Sequence, residues 1–274
     1  MEKHVKQTTE RCLEIMIEQI ISIVKNASSI MCERPDDISQ KGNSSNYVTA
    51  SDLAVQKFLS QQLTGLIPGS SVVGEEGEGH AANTQYIWVI DPIDGTSNYI
   101  RDIGLSVISV GLLKDGQPIA GVIYNPYRDE MFYAQQGQGA FLNGKPIHVS
   151  DRDFAHSHLC SAMSLYDKRY ATPCFHIIEK VYHESDDLRR LGSAALELAY
   201  LAAGRVELYF EIRLFPWDVA AAIAILREAG GEVELLYHET LPLDRPFGLI
   251  AANSPESFAR LKNIVCEELP TLPY

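Results

Sequence analysis

The sequence predicts a mixed α/β protein built around an antiparallel meander, not a doubly wound parallel sheet. Three observations predict it. Residues 105–150 fall into short apolar or alternating runs, at 105–113, 118–124, 130–135 and 140–150. These runs are separated or broken by Lys114-Asp115-Gly116-Gln117 and Asn143-Gly144, both strong hairpin turns. The chain opens with Leu13, Met16, Ile17, Ile20, Ile21 and Val24 at helical spacing, an amphipathic helix over 8–32 with its apolar face toward core or a subunit interface. The last third carries two helices with readable ends, one after Ser193 and one after Pro216-Trp217-Asp218.

Taken in order, the first helix gives way to a polar stretch at 33–46 that holds Pro35 and Gly42 and reads as a mobile loop. Thr49-Ala50-Ser51-Asp52 then has the form of a capping box opening a helix over 53–63. A helix cap is therefore the local role of Asp52. After Pro68-Gly69, Ser71-Val72-Val73 leads as a strand into Gly74-Glu75-Glu76-Gly77-Glu78, which by itself is an acidic surface loop. Residues 151–190 are the least readable. His156 and His158 stand two apart there with no third ligand nearby, and read as structural or exposed. The alanine-rich segment 192–204 has Ser193 as N-cap and Gly204 as terminator. A strand over 206–210 precedes the final capped helix, at 219–229. There the local roles are an N-cap for Asp218 and a core anchor for Trp217.

Composition narrows the function. A chain of 274 residues, 46% hydrophobic and 22% charged, can bury a large core as one domain or two modest ones, and that composition argues against disorder. A formal charge of −13 argues against sequence-independent binding of nucleic acid or an anionic membrane surface. Cys12, Cys32, Cys160, Cys174 and Cys266 are odd in number and form no Cys-x-x-Cys pair, a pattern that suits a reducing cytoplasm rather than a disulfide framework or zinc site. No apolar run reaches the roughly 18 residues of a membrane span, and no signal peptide is recognised at the start.

The most informative stretch is Trp88-Val89-Ile90-Asp91-Pro92-Ile93-Asp94-Gly95-Thr96-Ser97-Asn98. A buried strand delivers two carboxylates into what reads as a turn. Two such anions 4 Å apart repel by about 4 kcal/mol at an effective dielectric near 20, and a divalent cation between them reverses the sign. A plain strand-ending turn is the alternative. An aspartyl-phosphate motif is disfavoured because its aspartates stand two apart, and here they stand three apart. Glu75 and Asp218 are further acids at element ends. Oxygen donors without His or Cys suit Mg²⁺ rather than zinc, with the main-chain carbonyl of Ile93 as a further donor. Bound cations would also let an acidic protein recruit a phosphate.

Gly74-Glu75-Glu76, Asp91-Pro92-Ile93-Asp94-Gly95-Thr96-Ser97-Asn98 and Trp217-Asp218-Val219-Ala220-Ala221 resemble, in order and spacing, the three signature motifs of the inositol monophosphatases. This family sits in the superfamily of Mg²⁺-dependent, lithium-sensitive phosphatases. The likeness runs nearly the whole length and takes in Lys41, the 48–52 segment, 139–144, 192–195 and 207–211. It implies a layered α/β sandwich of alternating helix and sheet layers. The meander would lie in an N-terminal half (1–145) carrying the metal and phosphate motifs, and a mixed sheet in a C-terminal half (146–274) completing the site. It implies that Glu75, Asp91 and the Ile93 carbonyl hold one Mg²⁺, and Asp91, Asp94 and Asp218 a second, with Glu75 also aiding a weaker third. The amides of Gly95 and Thr96 would take the phosphate. Thr96, hydrogen-bonded to Asp52, would activate the attacking water with it, which supplies the partner Asp52 lacked.

Asp94, Ala194, Glu211 and Asp218 match positions that contact the inositol hydroxyls. The implied reaction is hydrolysis of a phosphate monoester of a small polyol or sugar without a phosphoenzyme, by a homodimer. Asn46 and Ala222 depart from the family, which commonly has Asp and often Gly there. Alternatives within the superfamily are a fructose bisphosphatase, histidinol phosphatase, NADP phosphatase or phosphoadenosine phosphate phosphatase. Arg101, Lys168, Arg169, Arg189 and Arg190 are candidates for a second phosphate. A catalytically idle binding protein on the same fold is the alternative of a different class.

Overall fold

The computed structural model describes residues 2–33, 38–40, 47–77, 84–162 and 168–269, with backbone alone for 2–15, 38–40 and 47. Lys41 and Asn46 lie outside the described residues. In chain order the elements begin with α1 (Glu2–Cys32), β1 (Ile38–Gln40), β2 (Tyr47–Thr49), α2 (Ala50–Leu66), β3 (Ser71–Gly74), β4 (Tyr86–Asp94) and α3 (Thr96–Ile100). The meander continues with β5 (Val107–Lys114), β6 (Gln117–Asn125), β7 (Glu130–Gln135), β8 (Ala140–Leu142) and β9 (Lys145–Ile147). Then come β10 (His158–Ser161), α4 (Ala171–Tyr182), β11 (Asp187–Arg189), α5 (Ala194–Ala202), β12 (Leu208–Leu214), α6 (Pro216–Glu228), β13 (Glu232–Leu236), β14 (Phe247–Ala252) and α7 (Pro255–Glu268).

Strands β3 to β9 form one seven-stranded sheet in sequential order, antiparallel from β4 onward as the hairpin signals require. Its first pair is an exception, since β3 runs parallel to β4. The second sheet, in the order β11-β10-β12-β14-β13, is mixed: β10 is parallel to both neighbours, and the other pairs are antiparallel. Two of its strands, β10 and β11, and helix α4 arise from the stretch that composition left unreadable. Within the polar stretch expected to be a loop, Ile38–Gln40 pairs antiparallel with Tyr47–Thr49.

Three apolar clusters show how the layers stack. Ile20, Val24 and Met31 of α1 and Val55, Leu59 and Leu63 of α2 pack on Trp88, Ile90, Ile108 and Val122 of the large sheet. The opposite face, through Ile87, Val89, Ile123 and Phe132, meets α5 and α6, whose far sides meet Tyr209, Leu249 and Ala251 of the second sheet. Leu208, Phe210 and Ile250 turn the other way, onto Ile177 of α4 and Leu261 and Val265 of α7. The order is helices, sheet, helices, sheet, helices, and the middle cluster draws residues from both sides of position 145. Strand β9 itself crosses that position. Alternation along β4 explains why its run is apolar throughout: both of its faces are covered.

The contact of α6 with the large sheet is close. A Cβ added at Gly121 of β6 would lie 2.2 Å from the carbonyl oxygen of Ala221, and backbone cannot yield as a side chain can. Gly121→Ala is expected to destabilise the fold by about 1–3 kcal/mol, the usual cost of overpacking. Urea unfolding followed by tryptophan fluorescence checks it, and an unchanged midpoint would show that α6 is free to shift.

Candidate active site

Strand β4 shows how two acids three residues apart come to face one point. Successive side chains of a regular strand alternate, so residues 91 and 94 would point to opposite faces. Here Asp91 pairs with Ser109 and Asp94 with Val107, so three steps on β4 match two on β5. That extra residue is a β-bulge, and it re-aims Asp94 to the side of Asp91. Pro92, which has no N–H to give, sits where the ladder is interrupted. The expected turn at Asp91–Asp94 is therefore a bulged strand end. The chain turns only at Gly95, whose φ of 87° is left-handed and where a Cβ would meet the carbonyl oxygens of Gly192 and Leu105 at 3.1 Å.

Helix α6 delivers the third acid. Pro216 starts it and Asp218, its third residue, accepts the Phe215 N–H at 2.6 Å, as an N-terminal acid should. Phe215 and Trp217 stack beside it, with centroids 5.0 Å apart. Ligand oxygens of Asp91, Asp94 and Asp218 all lie within 4.8 Å of one another. Glu75, just past the end of β3, is held by its N–H to the Ile90 carbonyl at 3.2 Å. It lies outside that tight group, but its charge is felt at both Asp91 and Asp218.

Hydrogen bonds hold the paired acids of β4 in place. Asp91 Oδ1 accepts the Ile93 N–H at 3.0 Å. Asp94 Oδ2 accepts Ser193 Oγ–H and the Ala195 N–H, both at 2.7 Å, so the start of α5 grips one of its oxygens. The backbone N–H groups of Ala194 and Gly95, lying nearby, also lower the Asp94 carboxyl. The N–H of Thr96, first in α3, has no carbonyl a turn earlier to bond.

Electrostatics fit a cation. Burial first, then Glu75, Asp94 and Asp218, raise the Asp91 carboxyl well above its ordinary range. Asp218 is raised likewise by burial and then by Asp94. Burial pushes Asp94 up to about 6, against the hydrogen bonds that lower it. Glu211, 7% exposed and accepting Tyr209 Oη–H at 3.0 Å, is pushed up to about 8 by burial and then by Glu197. Such a cluster either holds protons or takes up divalent metal. The donors, carboxylates and the Ile93 carbonyl, are the hard oxygens that Mg²⁺ prefers.

Asp52 caps α2 as its spacing predicts: Oδ2 accepts the N–H of Thr49 at 2.7 Å and its hydroxyl at 2.5 Å. Its charge reaches Asp91. Thr96 Oγ1 donates to the Ile93 carbonyl at 3.1 Å, so its proton is not directed at Asp52. Ala194 begins α5 beside Asp94. Among the basic residues considered for a second phosphate, Arg190 acts on Glu211 and Glu197, whereas Arg189 pairs with Asp187 and Arg101 bonds Ser97. His156 pairs with Asp153 at the surface.

Sequence reading missed Ser193 as the partner of Asp94, and it missed Glu197. The spacing of Glu197, four residues into a capped helix, was the available signal. A cavity of about 630 Å³ lies elsewhere, between α1 and β7–β8, lined by Ile17, Tyr133 and Phe141. It holds none of these acids, so the chemistry, not the volume, locates the site.

Comparison with known proteins agrees over the same span. The profile described as the inositol monophosphatase family matches residues 7–269. The Nus factor SuhB of Escherichia coli strain K12 is 42% identical over 205 residues, covering 73% of this chain and 76% of that protein. A fructose-1,6-bisphosphatase/inositol-1-monophosphatase of Aquifex aeolicus is 33% identical, covering 80% and 82%. The structure of inositol monophosphatase from Anabaena superposes with a TM-score of 0.80 at 32% identity, covering 93% of this chain and 96% of that one. With the layered architecture already in place, a match of that extent leaves one assignment: the chain belongs to the inositol monophosphatase family.

Proposed function

We propose that the protein is a Mg²⁺-dependent phosphate monoester hydrolase whose preferred substrate is an inositol monophosphate. The observation that carries this is the convergence of Asp91, Asp94 and Asp218, from a bulged strand and a distant helix, to within 4.8 Å. Glu75, Asp91 and the Ile93 carbonyl would hold one metal ion, and Asp91, Asp94 and Asp218 another. Bound Mg²⁺ supplies charge neutralisation for the phosphoryl group and makes nearby water more acidic. The rest falls to the chain. Thr96 and Gly95 orient the phosphate at the start of α3. Asp52 takes the proton of the attacking water through the Thr96 hydroxyl, once that hydroxyl has rotated off the Ile93 carbonyl. Asp94, Ala194, Glu211 and Asp218 position the hydroxyls of the departing polyol. In-line attack of that water forms the new P–O bond as the ester P–O bond breaks, with no phosphoenzyme, and the departing alkoxide takes up a proton from solvent to leave as the free polyol. Residues 1–145 supply the metal and phosphate motifs and residues 146–274 complete the pocket.

Four described cysteines are unpaired, which supports a reducing, cytoplasmic setting. No helix among the described residues is long and apolar enough to cross a membrane. A homodimer acting on a small phosphorylated polyol or sugar, without nucleic acid or membrane, completes the proposal.

The name Nus factor, borne by relatives 42% identical, favours a second reading: a binding role on the same fold. One assay separates the two. Inositol phosphates, fructose bisphosphate, histidinol phosphate and adenosine bisphosphate are offered at millimolar Mg²⁺, with and without Li⁺. Release of phosphate from an inositol monophosphate, suppressed by Li⁺, is the expected result. Silence on every ester would put the binding role ahead.

A further inference from the structure

We propose that Glu197 is a positioning residue for the reaction, acting through the 191–193 loop, which it locks between the acid cluster and the phosphate turn. The inference rests on the hydrolase reading above for its functional meaning, though the lock itself is a matter of contacts. Glu197 lies in α5 and is 1% exposed, a rare place for a carboxylate. Its Oε1 accepts two backbone N–H groups, from Leu191 at 2.5 Å and Gly192 at 3.1 Å. Both donors are half-buried, and without Glu197 each would lose its partner.

The loop held in this way touches the site at three points. The Leu191 carbonyl accepts Asn98 Nδ2 at 2.7 Å, and the same amide reaches the Leu105 carbonyl at 3.0 Å, so the loop is fastened to α3. The Gly192 carbonyl lies 3.1 Å from where a Gly95 Cβ would stand, so the loop forms the wall that keeps the phosphate turn tight. Ser193 then hands its hydroxyl to Asp94 Oδ2 at 2.7 Å. Glu197 touches no reacting atom, yet a single oxygen fixes the backbone from which Asp94, Gly95 and α3 take their places. Of the three clustered acids, Asp94 is the one this loop grips directly, through Ser193.

The test uses the full chain with two substitutions. Glu197→Met keeps length and helix preference but removes the acceptor. Glu197→Gln retains an acceptor oxygen at the same reach. Amide hydrogen exchange at Leu191, Gly192 and Gly95 is read together with calorimetric binding of inorganic phosphate in the presence of Mg²⁺, and neither needs turnover. Glu197→Met is expected to speed exchange at those amides at least tenfold and to weaken phosphate binding by about 10–100-fold, the range typical of groups that orient a site from behind. Glu197→Gln should restore most of both. On the ester that the parent hydrolyses, kcat should fall more than KM rises.

Asn98→Ala, which cuts the far end of the lock, should give the same pattern, and the double variant should be no worse than the poorer single one. Unchanged exchange and phosphate binding in Glu197→Met would overturn the proposal. So would Glu197→Gln behaving like Glu197→Met in a folded protein. If the parent hydrolyses no ester, the hydrolase reading fails while the exchange result still decides the role of Glu197 in the lock.

Discussion

Asp94→Asn is expected to lower phosphate-ester hydrolysis by a factor on the order of 10³ or more while leaving the fold intact. Ser193 Oγ–H and the Ala195 N–H both donate to Oδ2 of Asp94, so an asparagine must place its carbonyl oxygen there. Its NH₂ group then takes the place of Oδ1, within a cluster whose acids lie within 4.8 Å of one another. Two N–H donors occupy the place where a cation would be held, and the negative charge that would hold it is gone. Stability of the metal-free protein should hold or rise, because one of three mutually repelling acids has been neutralised. Steady-state rates at saturating Mg²⁺, with circular dichroism as a check on folding, decide the matter. A near-normal rate would remove Asp94 from the metal site.

The second large effect is a dependence of stability on pH that Mg²⁺ reverses. Asp94, Glu197 and Glu211 are raised in the folded protein to about 6, about 7 and about 8, each chiefly by burial, and Asp91 and Asp218 are likewise raised well above the ordinary carboxylate range. Their unfolded values lie near 4. The folded state therefore binds more protons than the unfolded one over this range. The contribution of these groups is fully present below about pH 4 and is lost as pH rises through 6 to 8. Each tenfold difference in proton affinity between the two states is worth about 1.4 kcal/mol. Protons and Mg²⁺ compete for the oxygens of Asp91, Asp94 and Asp218, so the stabilisation given by Mg²⁺ should grow as pH rises through the range in which those three acids lose their protons. At a hundredfold excess over Kd it amounts to about 2.7 kcal/mol, or roughly 5–10 °C in Tm for a chain of this size. Melting with Mg²⁺ against EDTA should show that increment at pH 8 and little of it at pH 5. An increment independent of pH would mean that the metal binds somewhere other than these raised acids.

How much of this was legible depended on the range of the interaction that decides each feature. Thr49 and Asp52 cap α2 through neighbours three residues away, and Ser193 caps α5 in the same way, so local spacing predicted both. The hairpin turns at Asp115-Gly116 and Asn143-Gly144 carry their left-handed φ angles in their own residue types. The bulge at Asp91–Asp94 was not legible, because it is defined by the register of β5, and so the stretch read as a turn. The parallel pairings of β10 with β11 and β12, and of β3 with β4, are long-range in the same sense.

At the site, the acids were recognisable as a set because an unpaired buried carboxylate is costly wherever it lies. Their partners were not. Ser193 meets Asp94 across 99 positions of chain, and Asn98 meets the Leu191 carbonyl across 93. Thr96 was expected to bond Asp52; its hydroxyl donates to the carbonyl of Ile93, three residues earlier in the chain.

Diffraction from crystals grown with Mn²⁺, a hard divalent ion with an anomalous signal, tests the metal centre most directly. An anomalous peak bonded to the carboxylates of Asp91, Asp94 and Asp218, and absent from Asp94→Asn crystals, is the predicted result. Active protein with no peak among those three residues, or with its ion bound elsewhere, would contradict it.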